Sequence, residues 1–367
     1  MGASIEHGVY RPCREDSSVN ALPRLRPFAN SLNEKHLCYD PPMTTALNLT
    51  SLYGQINTQL ERVRAAVREQ WVEAFQLVYG PSATPPRLGG KLMRPALCFM
   101  SAGAVGARDL DRFVDMATAM ELLHLAALAH DDVVDRADVR RGEPSLNRLW
   151  DNHTAVLGGD YMVARALDIL TNYDSTSVIK SALESIHQMA EGELINFGRK
   201  QGTLNEDDCI RLAEKKTASL FAVACSTPSI LIDESHRADL FNFGMGIGTA
   251  FQLIDDLLDL EQGEETLGKP SCGDIVEGKM TLPILYMRAE MSDADVQRLE
   301  NLAGGPVSED DRAWIRESIR STGALERTEA QARTYIERAR AALEALPENA
   351  FTTSMLGMTE FVLSRDA

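Results

Sequence analysis

Residues 116–135 read MATAMELLHLAALAHDDVVD, and this stretch decides the fold. Met116, Ala119, Met120, Leu123, Ala126 and Ala127 recur at the three- and four-residue spacing of one helix face. Outward from it the same period returns. Leu49, Leu52, Ile56, Leu60 and Val63 predict a helix that begins near residue 47. Leu212, Ala213, Lys216, Leu220 and Ala224 continue the period after a cap region at Thr203–Asp207. Ala324 to Leu346 reads as another helix, with Glu326, Glu329 and Arg333 on its wet side. No segment alternates in the manner of a strand. Gly89-Gly90, Gly304-Gly305-Pro306 and Pro347 fall between helical segments. The expected fold is all-α, a large single-domain helical bundle over 43–367. Residues 1–42 are polar and irregular, with five prolines, and read as a disordered extension or an upstream start that the native protein does not use.

Composition removes several function classes. The 367 residues carry 37 Lys and Arg against 54 Asp and Glu, a formal net charge of −17. A non-specific nucleic-acid binder draws its affinity from Lys and Arg on phosphates, so no nucleic acid is expected. No apolar run reaches the ~18 residues of a membrane span. The N-terminus lacks a secretory signal, and Glu6 stands where a myristoylation signal needs Ser or Thr. Cys13, Cys38, Cys98, Cys209, Cys225 and Cys272 form no C-x-x-C pair, which points to reduced thiols in a cytoplasmic protein.

The chemistry lies in two acidic clusters inside apolar helices. His130-Asp131-Asp132-Val133-Val134-Asp135 is the first and Ile254-Asp255-Asp256-Leu257-Leu258-Asp259 the second. Each sets carboxylates at i and i+4, one turn apart on one face. Such pairs supply hard oxygen ligands suited to Mg²⁺, which keeps several waters and shares phosphate oxygens with its ligand. The plainer reading is a solvated acidic face. Two copies embedded in Leu, Val, Ala and Ile disfavour it, because like charges repel strongly in apolar surroundings unless a cation neutralises them.

A basic set accompanies the acids. Lys91 and Arg94 stand three apart, on one face of a helix expected to begin after Gly89-Gly90. Arg140 and Arg141 follow Asp135, Lys216-Thr217 lies mid-helix, Gln252 precedes the second cluster by about a turn, and Lys269 and Lys279 follow it after glycines. Arg forks onto phosphate oxygens and Lys serves as a point charge. Singly, each is an ordinary surface residue. Beside metal-type carboxylates they point to two anion sites, one held through metal and one held directly.

The motifs G-G-K-x-x-R-P (89–95), D-D-x-x-D-x-x-x-x-R-R-G (131–142), K-T (216–217), F-Q-x-x-D-D-x-x-D (251–259) and G-K…D…G-K-x-T-L-P (268–283) follow in sequence. In that order they resemble the trans-isoprenyl diphosphate synthases of the polyprenyl synthetase family. The likeness is nearer the bacterial polyprenyl (octaprenyl-type) branch than the farnesyl synthases and spans about residues 47–367. It implies an isoprenoid-synthase bundle around a central cavity. It also implies a homodimer, with the helix carrying Met116–Ala127 contributing to the interface.

By the same resemblance, Lys91, Arg94, His124 and Arg141 hold the diphosphate of isopentenyl diphosphate. Asp131 and Asp135, with Asp132 beside them, and Asp255, Asp256 and Asp259 belong to the two magnesium-binding motifs, with three ions expected per site. Arg140, Lys216, Thr217, Gln252 and Lys269 line the allylic diphosphate, and Lys279 joins the binding set. The implied reaction is head-to-tail condensation by ionisation, attack and loss of a proton to the released diphosphate. Lys216, Thr217 and Gln252 help stabilise the cation. Magnesium neutralises charge on the leaving group.

Product length is expected to depend on the helix below Asp131. Ala127 and Ala126 stand four and five residues before it, with Leu123 and Met120 further down. Farnesyl-type enzymes place aromatic bulk at the first two positions, so small residues predict an open channel and a product of geranylgeranyl length or longer. The plainer reading is that the alanines allow close helix packing. Met162, Ala166 and Leu170 are candidates for a deeper floor.

Two other classes fit parts of the pattern. A di-iron carboxylate bundle would use Glu121 with His124 and Glu184 with His187, but it leaves both aspartate motifs unemployed. A class I terpene cyclase shares the first motif, yet it replaces the second and lacks the Lys91/Arg94 pair.

Overall fold

A computed structural model describes residues 48–83, 85, 90–135, 139–140, 143–145, 148, 150–198, 204–261 and 271–365. These fall within one compact unit, Ala46–Ala367. The expectation for 1–42 lies outside the described residues.

Among the described residues, the regular structure is helical apart from one hairpin of two two-residue strands. Helices α1 (Leu49–Leu52), α2 (Asn57–Tyr79), α3 (Met93–Ala104) and α4 (Val114–Val134) precede strands β1 (Val139–Arg140) and β2 (Glu143–Pro144). There follow α5 (Asn152–Thr171), α6 (Thr176–Gly198), α7 (Glu206–Ala213), a π-helical turn over Glu214–Ala218, and α8 (Ser219–Ser226). Then come α9 (Arg237–Glu261), α10 (Gly273–Val276), α11 (Leu282–Glu290), α12 (Asp293–Leu302), α13 (Glu309–Ser321), α14 (Ala324–Leu343) and α15 (Ala350–Leu363). Among the described residues, no helix is long and apolar enough to cross a membrane.

Side-chain caps set several starts. Asp151 accepts from the Thr154 N–H at 2.9 Å to open α5, and Asn205 and Asp208 form a capping box at α7. The helix expected from residue 47 is broken at 53–56, where Tyr53 caps α1 and turns the chain into α2.

Two apolar helices organise the core. Helix α3 buries every residue except Arg94, and α4 buries most of its length against α2, α3 and α5. That burial corrects one expectation. Met116, Ala117, Ala119, Met120, Leu122, Leu123 and Ala126 are covered within the single chain, so this face is spent on the core and unavailable to a partner.

Helix α9 is squeezed from two sides, and its glycines allow it. A Cβ at Gly248 would stand 2.6 Å from the Ala218 Cα, and one at Gly246 would stand 2.7 Å from the Tyr335 carbonyl oxygen. The first contact draws α9 onto the π turn, the second onto α14. This packing fixes where the second aspartate motif emerges.

Candidate active site

A cavity of about 1370 Å³ opens where these helices meet. Its wall takes Asp131 and Asp135 from the end of α4, and Asp255, Asp256 and Asp259 from the last turns of α9. Lys91, Arg94, His124, Lys216, Thr217, Gln252 and Lys279 line it too. Apolar wall comes from Ala127, Leu128, Leu220 and Phe221.

Each aspartate on the wall has a partner. Lys279 Nζ lies 2.7 Å from Asp135 Oδ2, and Lys216 Nζ 3.8 Å from Asp131 Oδ2. Arg365 Nη2 reaches Asp255 Oδ1 at 3.1 Å. Gln252 Nε2 donates to Asp256 Oδ1 at 2.6 Å, and the Asp274 N–H donates to Asp259 Oδ2 at 3.0 Å. Among the described residues, no three His, Cys, Asp or Glu side chains converge into a closed cage.

Burial and neighbouring charges shift these groups. Burial raises the Asp131 carboxyl above its usual range; Lys216 and Lys279 act against that rise, while Glu193 and Asp135 add to it. Burial pushes Asp256 up to about 7; the Gln252 hydrogen bond opposes the rise, and the Asp255 and Asp259 charges reinforce it. Burial works against the charge on Lys216, but Asp131 and Glu193 outweigh it and hold the ammonium above its ordinary range. Lys279 follows suit through Glu277, Asp135 and Asp274.

The backbone is special at three points around the cavity. Leu92 caps α3 with φ 49°, and Cys272 caps α10 with φ 60°, both in the left-handed region that non-glycine residues rarely enter. The first lies between Lys91 and Arg94, so the two do not share a helix face as expected: α3 starts at Met93 and leaves Lys91 before it. The second turns the chain so that its N–H donates to the Asp259 carbonyl at 2.7 Å. The third point is the π turn carrying Lys216 and Thr217, read from the sequence as plain helix. Such turns recur at functional sites because they re-aim side chains within a continuous helix. Here Thr217 Oγ1 donates to Gln252 Oε1 at 2.5 Å, which with the Gln252–Asp256 bond fixes the direction of the amide.

Some expected residues stand elsewhere. Asp132 is fully buried and off the cavity wall, because one residue on from Asp131 is about 100° around the helix. Of the four product-length positions, Ala127 lines the cavity, while Met120, Leu123 and Ala126 are buried and do not. Glu121 and His124 reach the wall but Glu184 and His187 do not, which divides the di-iron set. Arg140 stands in β1. Arg141 and Lys269 lie outside the described residues. The structure also adds Glu277, Phe361 and Arg365 to the wall, and Lys91 Nζ sits 5.6 Å from the Phe361 ring centroid. A carboxylate inside the apolar run 116–129 was a legible sign for Glu121. Nothing in the sequence singles out Arg365.

The sequence model of the polyprenyl synthetase family matches residues 76–319. The chain belongs to the polyprenyl synthetase family. An all-trans-nonaprenyl-diphosphate synthase (geranyl-diphosphate specific) of Rhodobacter capsulatus is 36% identical over 293 residues, 79% of this chain and 89% of that protein. The octaprenyl diphosphate synthase of Escherichia coli (strain K12) is 32% identical over 323 residues, 87% of this chain and all of that one. A polyprenyl synthase of Caulobacter crescentus CB15, solved with calcium and isoprenyl diphosphate, superposes with a TM-score of 0.79 at 29% identity, covering 89% of this chain and 100% of that chain. This polyprenyl synthetase is a prenyltransferase of the trans-polyprenyl diphosphate synthase class, and its reaction is head-to-tail condensation.

Proposed function

We propose that the enzyme joins isopentenyl diphosphate to an allylic diphosphate, releasing diphosphate and building an all-trans chain of geranylgeranyl length or longer. The observation that carries this reading is a single cavity lined by both aspartate motifs, by Lys91, Arg94 and His124, and by an apolar wall. Anionic heads and a hydrocarbon tail each find matching surface there.

Asp131, Asp135, Asp255, Asp256 and Asp259 are the groups that hold magnesium, three ions per site. The donors fit such an ion. All are hard oxygens, and burial and mutual repulsion raise Asp131 and Asp256. Magnesium keeps several waters and shares phosphate oxygens with its ligand, so a few protein carboxylates suffice to hold it. When bound, the cation neutralises the charge that develops on the departing diphosphate. Lys91, Arg94 and His124, with Arg141, bind the isopentenyl diphosphate. Arg140, Lys216, Lys269 and Lys279 hold the allylic diphosphate. The fixed Thr217–Gln252 pair presents oriented dipoles to the positive charge left on the allylic carbon. The proton lost at the end goes to the departing diphosphate.

We extend the reading to a cytoplasmic homodimer. Leu157, Leu183 and Leu194 are exposed on α5 and α6 and offer the apolar surface that α4 does not. Sedimentation equilibrium checks it: a single 40-kDa-class monomer species at micromolar concentration would exclude the dimer.

The decisive experiment is incubation with radiolabelled isopentenyl diphosphate, Mg²⁺ and a series of allylic primers, followed by chain-length analysis. The expected result is incorporation that requires both substrates and the metal, with products of twenty carbons or more. Turnover of an allylic diphosphate alone would replace this reading with a cyclase.

A further inference from the structure

The Glu191-Gly192-Glu193 run on α6 belongs to no motif, lies off the cavity wall, and has no part in the function proposed above. It nevertheless grips the π turn. A Cβ at Gly192 would meet the Lys215 Cβ and the Lys216 Cγ at 3.0 Å and the Lys216 nitrogen at 3.4 Å, so α6 passes directly over the backbone of that turn. The two glutamates flanking Gly192 divide the two lysines between them. Lys215 Nζ lies 2.7 Å from Glu191 Oε2 and 2.7 Å from Gln188 Oε1. Lys216 Nζ pairs with Glu193 Oε2 and stands 3.8 Å from Asp131 Oδ2, beyond a direct hydrogen bond.

We infer that Glu193 is a positioning residue that holds the Lys216 ammonium beside Asp131 rather than on it. Lys216 has two carboxylates within reach, and one of them is a group that the proposed function assigns to magnesium. An ammonium seated fully on Asp131 would occupy the oxygen that a cation needs. Glu193 draws it to the side yet leaves it on the cavity wall, where an anion can still meet it. Partners of metal ligands typically change metal affinity by 10–100-fold, and Glu193 acts on the ligand Asp131 through Lys216.

The inference rests on the proposed function, and the test separates the two. Mg²⁺ binding to the substrate-free protein is measured by calorimetry, and KM for the allylic and isopentenyl diphosphates is measured beside it. Glu193→Gln keeps the shape and removes the charge. It is expected to weaken Mg²⁺ binding about tenfold and to raise KM for the allylic diphosphate more than KM for isopentenyl diphosphate, while Glu193→Asp recovers part of the loss. Glu191→Gln, on the Lys215 side, is expected to leave Mg²⁺ binding unchanged. In a Lys216→Met background the competing ammonium is gone, so adding Glu193→Gln should change Mg²⁺ affinity no further. A purely structural role would instead lower affinity equally in both backgrounds and move the two KM values together. That pattern, or an unchanged Mg²⁺ affinity in folded Glu193→Gln, overturns the inference and leaves the proposed function standing. A wild-type protein that neither binds Mg²⁺ nor condenses the substrates overturns both.

Discussion

The two aspartate motifs share a spacing and differ in how the protein balances them. On α4, Asp131 and Asp135 are met by ammonium groups, Lys216 and Lys279, carried on long side chains from other elements. On α9, the Gln252 amide donates to Asp256 and the Asp274 N–H to Asp259, while Arg365 pairs with Asp255 and the Lys279 charge acts on Asp256. Ammonium groups hold both wall aspartates of the first motif, whereas the second adds neutral donors and a raised Asp256 carboxyl to its Arg365 pair. The consequence is that Asp256 titrates near neutrality. A cation arriving at the first motif competes with lysines, and at the second it competes with a proton on Asp256 and with Arg365 on Asp255.

The largest test of that contrast is within the first motif itself. Asp131→Asn is expected to lower kcat by about 10³-fold, since it removes a ligand and leaves Lys216 with Glu193 alone. Asp132→Asn, one residue on and buried off the cavity, should leave most of kcat and instead lower stability by about 1–3 kcal/mol. Steady-state kinetics with a denaturant melt of each variant separates the two. Equal losses of kcat would show that the motif acts as one unit and that position on the helix face does not matter. Next in size is Gln252→Leu, which breaks the bonds to Thr217 and Asp256 together. An activity loss of about 10–100-fold is expected, with a higher Mg²⁺ requirement. An unchanged Mg²⁺ requirement would mean that Gln252 serves the substrate cation only.

Much of this site is legible in the amino-acid sequence. The period of 116–127 marks the helix, and the i, i+4 aspartates put Asp131 and Asp135 on one face, where they stand. What stays illegible depends on contacts distant in sequence. The π turn at 214–218 looks like ordinary helix because Leu212, Ala213, Leu220 and Ala224 keep an apolar period through it; α6 and α9 approach that turn closely at Gly192 and Gly248, contacts distant in sequence. Lys91 reads as helical by its spacing to Arg94, yet Leu92 takes a left-handed conformation that no residue type advertises. Arg365 pairs with Asp255 across 110 residues of chain. The interface expected on Met116–Ala127 fails for a related reason: an apolar stripe shows that a face is buried, and the chain's own core covers this one.

Product length offers a smaller and more local contrast, between two neighbouring positions on the first motif's helix. Ala127 lies one turn below Asp131 on the cavity wall, and Ala126 is buried on another side of α4. Ala127→Phe should shorten the main product by mass analysis with kcat for the first condensation kept within a few-fold. At Ala126 an added ring must first displace core, so Ala126→Phe is expected to cost about 1–3 kcal/mol of stability. A shortened product from Ala126→Phe with an unchanged melting temperature would move the channel to the far side of α4.

The smallest effect bears most directly on the contrast between the motifs. The Asp256 carboxyl is raised in the folded protein to about 7, from an ordinary value of 3.8. A group whose pKa rises on folding binds its proton more tightly in the native state, so it contributes stability that is full below the unfolded value and disappears as pH climbs through the folded one. The metal-free protein should therefore melt lower at pH 8 than at pH 6. Self-repulsion at a net charge of −17 would produce the same trend, so the melting temperature alone does not identify Asp256. The response to Mg²⁺ does. At pH 6 the ion must displace a proton from the second motif, while at pH 8 that proton has already left, so added Mg²⁺ should raise the melting temperature more at pH 8. Asp256→Asn removes the proton and should flatten that difference, whereas Asp135→Asn, on the lysine-balanced motif, should weaken the Mg²⁺ response while keeping its pH dependence. If Asp135→Asn flattened it and Asp256→Asn did not, the retained proton would belong to the first motif, and the division between charge balance and proton balance would have to be reversed.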